Sequence, residues 1–155
     1  MKNSAERRPA AVWALIVLHV LLGVGAVASG GVLMAAPDGH LMQMPLSMLE
    51  HSPFSNFLIP GAILFTLLGV YPLCVAYGLW KRPGWRWPDA INPLKGIHWS
   101  WAGSLAAGAI VVIWIVVEVI MLRSFVFLQG LYLVWGIVLV VLTLLPEVRR
   151  HYARS

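Results

Sequence analysis

The chain has 155 residues, of which 60% are hydrophobic and only 11% charged, and its formal net charge at pH 7 is +5. About a quarter of the residues of a typical soluble domain are charged, so this composition excludes a water-soluble globular protein and indicates one integral membrane domain over residues 1–155. The single cysteine, Cys74, lies in an apolar run, which excludes an intramolecular disulfide and two-cysteine redox chemistry.

Four stretches are long enough and apolar enough to cross a bilayer, since a crossing helix needs about 20 mostly apolar residues. They cover residues 10–33, 57–80, 99–122 and 125–145. They lack the alternating pattern of a membrane β-barrel, and in lipid only helices and closed barrels satisfy their backbone hydrogen bonds. The sequence therefore predicts an all-α fold, an antiparallel bundle of four transmembrane helices.

Lysine and arginine lie almost entirely on one side of these spans. Ten of the 11 flank the termini or lie between the second and third spans, and only Arg123 lies on the other side. Positively charged segments stay in the cytoplasm, so we expect a multi-pass protein of the bacterial cytoplasmic (inner) membrane with both termini inside. The 34–56 segment is then an ordered extracytoplasmic loop. The same cations are placed to meet anionic lipid head groups, which argues for a lipid rather than a nucleic-acid partner.

The first span also has features of a cleavable signal peptide, because basic residues precede an apolar run that contains Ala26-Val27-Ala28. The run is longer than a usual signal-peptide core and continues to Met34, which favours an uncleaved span. Cleavage stays open as an alternative.

Small residues spaced four apart predict close helix packing. These pairs are Gly25 with Ser29, Ala26 with Gly30, Gly103 with Ala107, and Ser104 with Gly108. We expect them to pack within the bundle, and a homodimer or larger membrane complex is the alternative.

Two further local features are predicted along the chain. Pro72 predicts a kink in the second span, with Thr66 and Tyr71 nearby as polar groups that could stabilise it. The last two spans are separated by Arg123 and Ser124, which predicts a tight hairpin with Ser124 as the N-cap of the fourth helix.

Glu118 is the most informative single residue, because a carboxylate within a span usually faces protein or water. It lies about 7 Å below the hairpin at 1.5 Å per residue. The hairpin brings Gln129 to the same depth, with Tyr132 one turn deeper. One interpretation is a polar pocket, open to the outside, that binds a proton or a cation; the other is polar glue between two helices.

The 34–56 loop contains further candidate residues. Asp38, His40, Glu50 and His51 could surround one cavity together with Glu118 and Gln129, or could simply be solvated. Asp38-Gly39 predicts a turn, and Pro45 predicts the start of a short helix through Glu50. No cofactor is favoured.

Two metal hypotheses stay open beside these. Methionine and histidine suit Cu(I), with His40, Met42, Met44 and His51 as weak candidate ligands, although the methionines could instead pack the loop against the bundle. His19, in the middle of the first span, could bind haem or another metal, but His98 lies about 10 Å away in depth, so a hydrogen bond to a neighbouring helix is the better interpretation.

Several landmarks resemble a group of small four-span bacterial membrane proteins to which no activity is attached. They are Gly30-Gly31, Pro37-Asp38-Gly39, PLSMLEHSPFSNFLIPG at 45–61, the tryptophan-rich loop ending in HWSW, WIVVEVIM at 114–121 and LLPEVRR at 144–150. The resemblance implies the four-span fold and transfers no catalytic residue.

The leading hypothesis for function is therefore non-enzymatic: an accessory or ligand-binding membrane protein with an outward-facing polar site. The alternatives are a proton- or ion-coupled transporter acting as a dimer, and a membrane haem or copper protein.

Overall fold

The computed structural model describes residues 7–154, and the regular elements among them are helical. Four helices are long and apolar enough to cross a bilayer: α1 (Ala10–Ala35), α2 (Leu58–Lys81), α4 (Trp99–Leu122) and α5 (Phe127–Leu144). Two short helices, α3 (Arg86–Ile91) and α6 (Pro146–Tyr152), follow α2 and α5. The prediction of an all-α chain with four helices of membrane-spanning length is confirmed, and the predicted bounds differ from these by at most two residues.

The long helices pack side by side as a bundle, in which α1 contacts α2 and α5, and α4 contacts the same two helices. Fully buried aliphatic side chains from each helix form the core, among them Leu15, Leu79, Val111 and Leu139. The opposite faces carry large apolar side chains that are exposed, such as Ile113. A bundle that is apolar both inside and outside is suited to lipid rather than water.

Glycines allow the helix backbones to approach closely at two crossings. A Cβ on Gly30 would lie 2.6 Å from the carbonyl oxygen of Gly61, and one on Gly108 would lie 3.0 Å from the carbonyl oxygen of Gly136. Gly30 and Gly108 therefore pack within the bundle, as predicted. Gly25 differs, because a Cβ there would meet nothing within 4 Å.

The second long helix contains a π-helical turn, Thr66–Val70, just before Pro72. Proline has no N–H to donate to the carbonyl four residues earlier, and a π turn is one way of accommodating that loss. Thr66 Oγ1 donates to the Ala62 carbonyl at 2.8 Å and so bonds within its own helix. Tyr71 does not stabilise this turn directly, since its hydroxyl donates to the Gly103 carbonyl of α4 at 2.9 Å.

The hairpin between α4 and α5 is longer than predicted, and the Ser124 cap is wrong. The fourth long helix begins at Phe127. Gln129 Oε1 accepts a hydrogen bond from the Val126 backbone N–H at 3.0 Å. A glutamine at the third helical position reaches back to the N-cap in this way, so Gln129 sets the boundary.

Cations gather at one end of the bundle. We call the end formed by residues 7–9, 81–98 and 145–154 the basic end, and the end formed by residues 36–57 and 123–126 the loop end. At the basic end α6 folds back against the bundle, where Val148 is buried and the Tyr152 hydroxyl donates to the Leu79 carbonyl at 2.7 Å. An ion pair between Arg154 and Asp89, 2.6 Å long, ties the C-terminal segment to α3.

Candidate functional site

Glu118 is the only acidic residue in the four long helices. It lies near the loop end of α4 and is half-buried. The side chain of Gln129 on α5 interacts with its carboxyl group. The structure therefore brings together the two residues that the hairpin geometry placed at one depth.

The Gln129 side chain contacts both the Glu118 carboxyl group and the backbone at the start of α5. Its side chain is 4% exposed, and its Oε1 is used by the Val126 N–H. The amide NH₂ is the remaining group able to donate to a carboxylate. Within residues 7–154 the ion pairs are His40–Asp38 and Arg154–Asp89, so Glu118 has an amide rather than a cation beside it.

Tyr132 occupies the next turn of α5 and is half-buried. Its ring stacks on Trp135, with ring centroids 5.9 Å apart, and both rings pack against the apolar core. In the described part of the chain no hydrogen bond joins Tyr132 to Glu118. Tyr132 is therefore placed by aromatic packing, and the polar pair at this site consists of Glu118 and Gln129.

The four polar loop candidates are exposed at the loop end. Asp38 accepts hydrogen bonds from the backbone N–H of His40 at 3.1 Å and pairs with His40 Nδ1 at 2.5 Å. These hydrogen bonds hold the pKa of the Asp38 carboxyl below its usual value. Over residues 7–154 no hydrogen bond or ion pair connects these two, or Glu50 and His51, to Glu118, so the loop supplies a separate acid–imidazole pair.

The loop has a small apolar core of its own. Leu49 and Phe57 are buried against Leu33 of α1, and Met44 and Met48 pack on this cluster. Leu49 belongs to a 3₁₀ helix, Leu46–Leu49, which follows Pro45 and lies against α4.

The candidate copper ligands of this loop therefore lie in two different environments. Met44 packs on the apolar cluster, whereas Met42, His40 and His51 are exposed. Across the described residues no three His, Cys, Asp or Glu side chains converge.

A buried polar chain crosses the bundle nearer the basic end. His19 Nε2 lies 3.0 Å from Ser104 Oγ, which lies 2.7 Å from Thr143 Oγ1. Thr143 donates its hydroxyl to the Leu139 carbonyl at 2.6 Å. All three side chains have no solvent exposure.

The directions of these hydrogen bonds follow from the last one. Since the Thr143 proton goes to Leu139, Ser104 must donate to Thr143, and His19 must donate to Ser104 through Nε2–H. The other ring nitrogen, Nδ1, has no hydrogen-bond partner among residues 7–154. We call this arrangement the His19 chain. It links α1, α4 and α5 through one nitrogen of the His19 ring.

The sequence predicts a partner for His19 on a neighbouring helix but does not identify Ser104 and Thr143. Hydroxyl residues are rare in these apolar runs, and each of these two lies within a few residues of the basic end of its helix. That scarcity marks the two as candidates, but which helix faces meet depends on how the three helices are rotated.

Compared with known proteins, the chain matches no family model, no curated protein and no solved structure.

Proposed function

We propose that this protein is a non-enzymatic accessory or ligand-binding protein of the bacterial cytoplasmic membrane, with both termini in the cytoplasm and the 36–57 loop outside. The distribution of charge supports this orientation. In the described residues nine lysines and arginines lie at the basic end and Arg123 alone at the loop end. Cytoplasmic segments carry such an excess of positive charge.

The observation that supports a binding function is the environment of the Glu118 carboxyl group. A carboxyl group inside a transmembrane helix is energetically costly and marks a site by default. Here it is half-buried beside the neutral amide of Gln129, with an acceptor oxygen available to a proton, a metal cation or the ammonium group of a ligand. The neutral amide beside the carboxyl brings no competing positive charge, which suits the pair to binding a cation.

The test is whether a cation stabilises the protein through Glu118. Full-length protein in detergent micelles is titrated with NaCl, CaCl₂ or butylammonium chloride while the Tm is recorded. A bound cation raises the stability by mass action, so we expect one of the three to raise the Tm of the wild type and to leave Glu118→Gln unchanged.

Glu147→Gln is the matched control, because Glu147 is exposed on α6 at the other end of the bundle. The control should respond as the wild type does. If the wild type and Glu118→Gln respond alike to all three cations, Glu118 is not a cation-binding group and the proposal fails.

A dimeric ion-coupled transporter is the second candidate, and the open face of α1 favours it. Gly25 and Ser29 lie four residues apart on this helix, and nothing packs within 4 Å of a Cβ on Gly25. Such a small-residue face suits contact with a second copy. If the protein is such a transporter, proteoliposomes that contain it should show proton or cation flux, and Glu118→Gln should abolish that flux. Equal flux in the wild type and the variant excludes the transporter.

A further inference from the structure

A concave region lies at the basic end, away from Glu118. It is a cavity of about 220 Å³ between α2 and α4, closed on one side by α3. Tyr71 and Cys74 of α2, Ala106 of α4, and Trp85 with Ile91 from the α3 region contribute to its walls. We call it the aromatic groove. Cys74 and Ala106 are exposed on the outer faces of their helices, so the groove opens sideways, where a membrane bundle meets lipid.

The roof of the groove is fixed by aromatic stacking. Trp85 stacks on Tyr77 on one side and on Trp99 on the other, with both pairs of ring centroids 5.5 Å apart. Trp99 Nε1 donates to the Pro83 carbonyl at 3.0 Å, and His98 Nε2 contacts the same oxygen at 3.0 Å. The groove is therefore a preformed apolar slot rather than a gap between loose side chains.

Segment 81–97 supplies several of the residues that line the groove, and we call this positively charged segment the rim. Segment 81–97 contains four lysines and arginines and one acidic residue, Asp89, whose carboxylate is paired with Arg154 at 2.6 Å. Lys95 is engaged by the carbonyls of Asp89 and Ala90. Arg86 lies between the groove-lining Trp85 and Trp87, is exposed, and forms no hydrogen bond or ion pair within residues 7–154.

From this arrangement we infer that the aromatic groove binds an acyl chain of an anionic phospholipid, and that Arg86 binds the phosphate of the same lipid. An apolar slot that opens to the bilayer can hold a hydrocarbon chain, and a free guanidinium on its rim can donate hydrogen bonds to a phosphate. The site is independent of Glu118 and lies in the opposite leaflet. A neutral lipid would leave Arg86 unused, and a soluble phosphate would leave the slot empty.

Cys74 supplies a reporter within the native chain, since it is the single cysteine and lines the groove. Full-length protein in neutral detergent is mixed with phosphatidylglycerol, phosphatidylcholine of the same chains, or glycerol 3-phosphate, and its rate of reaction with N-ethylmaleimide is measured. We expect phosphatidylglycerol to protect Cys74 at about fivefold lower concentration than phosphatidylcholine, the ratio for about 1 kcal/mol per basic residue near anionic lipid. Glycerol 3-phosphate should not protect.

Two matched pairs of variants separate the chain from the head group. Ala106→Phe fills the groove, whereas Ala109→Phe adds the same ring to an exposed position of α4 that does not line it. Arg86→Gln removes the rim charge, whereas Arg7→Gln removes a charge before α1. Native mass spectrometry counts the phosphatidylglycerol that each variant retains.

The expected result is lower retention in Ala106→Phe and Arg86→Gln, with both controls equal to wild type. The inference fails if the two lipids protect Cys74 equally, if glycerol 3-phosphate protects it, or if retention is equal within either pair of variants. It also fails if native mass spectrometry shows a bound protein in place of lipid.

Discussion

Replacing Ser104 with alanine breaks the His19 chain at its middle. The hydroxyl of Ser104 accepts from His19 and donates to Thr143, so the variant loses two hydrogen bonds between helices. Such bonds between membrane helices contribute about 0.6 kcal/mol on average and about 1.7 kcal/mol at most. Two of them predict a loss of about 1–3 kcal/mol in the free energy of unfolding. The buried Nε2–H of His19, left without a partner, places the expected value in the upper part of this range.

The loss is measured by titrating the protein from mild detergent into SDS and following tryptophan fluorescence. Ser29→Ala is the control, because Ser29 is half-buried in α1 and its hydroxyl makes no hydrogen bond with the described residues. It should change the free energy of unfolding by less than about 0.5 kcal/mol.

A double-mutant cycle identifies the interaction itself. Thr143→Val removes the partner hydroxyl, and combining it with Ser104→Ala should cost less than the sum of the two single changes by about 0.5–1.7 kcal/mol. Strict additivity, or a Ser104→Ala variant as stable as Ser29→Ala, would refute the role assigned to the His19 chain.

Three further predictions concern other contacts. Gly30→Ala should cost about 1–3 kcal/mol of unfolding free energy, because its Cβ would overlap backbone atoms of α2, whereas Gly25→Ala should cost nothing. Burial raises the pKa of Tyr152 to about 12, so the unfolded chain releases this proton first and stability should fall by about 2 kcal/mol between pH 10 and 12, a loss absent from Tyr152→Phe. Burial lowers the pKa of His98, so acidification below pH 6.5 should destabilise the wild type more than His98→Asn, because the unfolded chain takes up this proton more readily.

For each of these three predictions, one result of the same unfolding assay would contradict it. Gly30→Ala and Gly25→Ala of equal stability would mean that α1 and α2 do not approach as described. If Tyr152→Phe loses stability at alkaline pH as the wild type does, the Tyr152 hydroxyl is not buried against the Leu79 carbonyl. Parallel acid profiles of wild type and His98→Asn would mean that His98 is not buried.

The sequence was sufficient for the number and bounds of the long helices, because length and apolarity in lipid leave few alternatives. It also placed Glu118 beside Gln129, since a short hairpin fixes the relative depth of its two helices. Helix caps were harder to predict. Ser124 is a good N-cap residue by type, but the Gln129 side chain bonds to the Val126 backbone, and the N-cap lies two residues later, at Val126.

Long-range contacts were beyond single-sequence reasoning. Nothing local indicates that Ser104 and Thr143 meet His19, because the meeting depends on how three helices are rotated. The return of α6 to the bundle left a weak signal, since Val148 and Tyr152 are four residues apart in a charged tail and form one apolar stripe. The separation of the polar loop residues from Glu118 depends on the folding of the loop onto its own apolar cluster.

In the proposed topology the bundle crosses the membrane with the 36–57 loop outside. In a Cys74→Ser background, single cysteines at Ser47 and at Arg150 place one thiol at each end of the bundle, and both native residues are exposed. Intact cells are treated with a membrane-impermeant maleimide. Labelling at position 47, and at position 150 only after permeabilisation, is the predicted result. Labelling of 150 with protection of 47 in intact cells would invert the topology and place Glu118 on the cytoplasmic side.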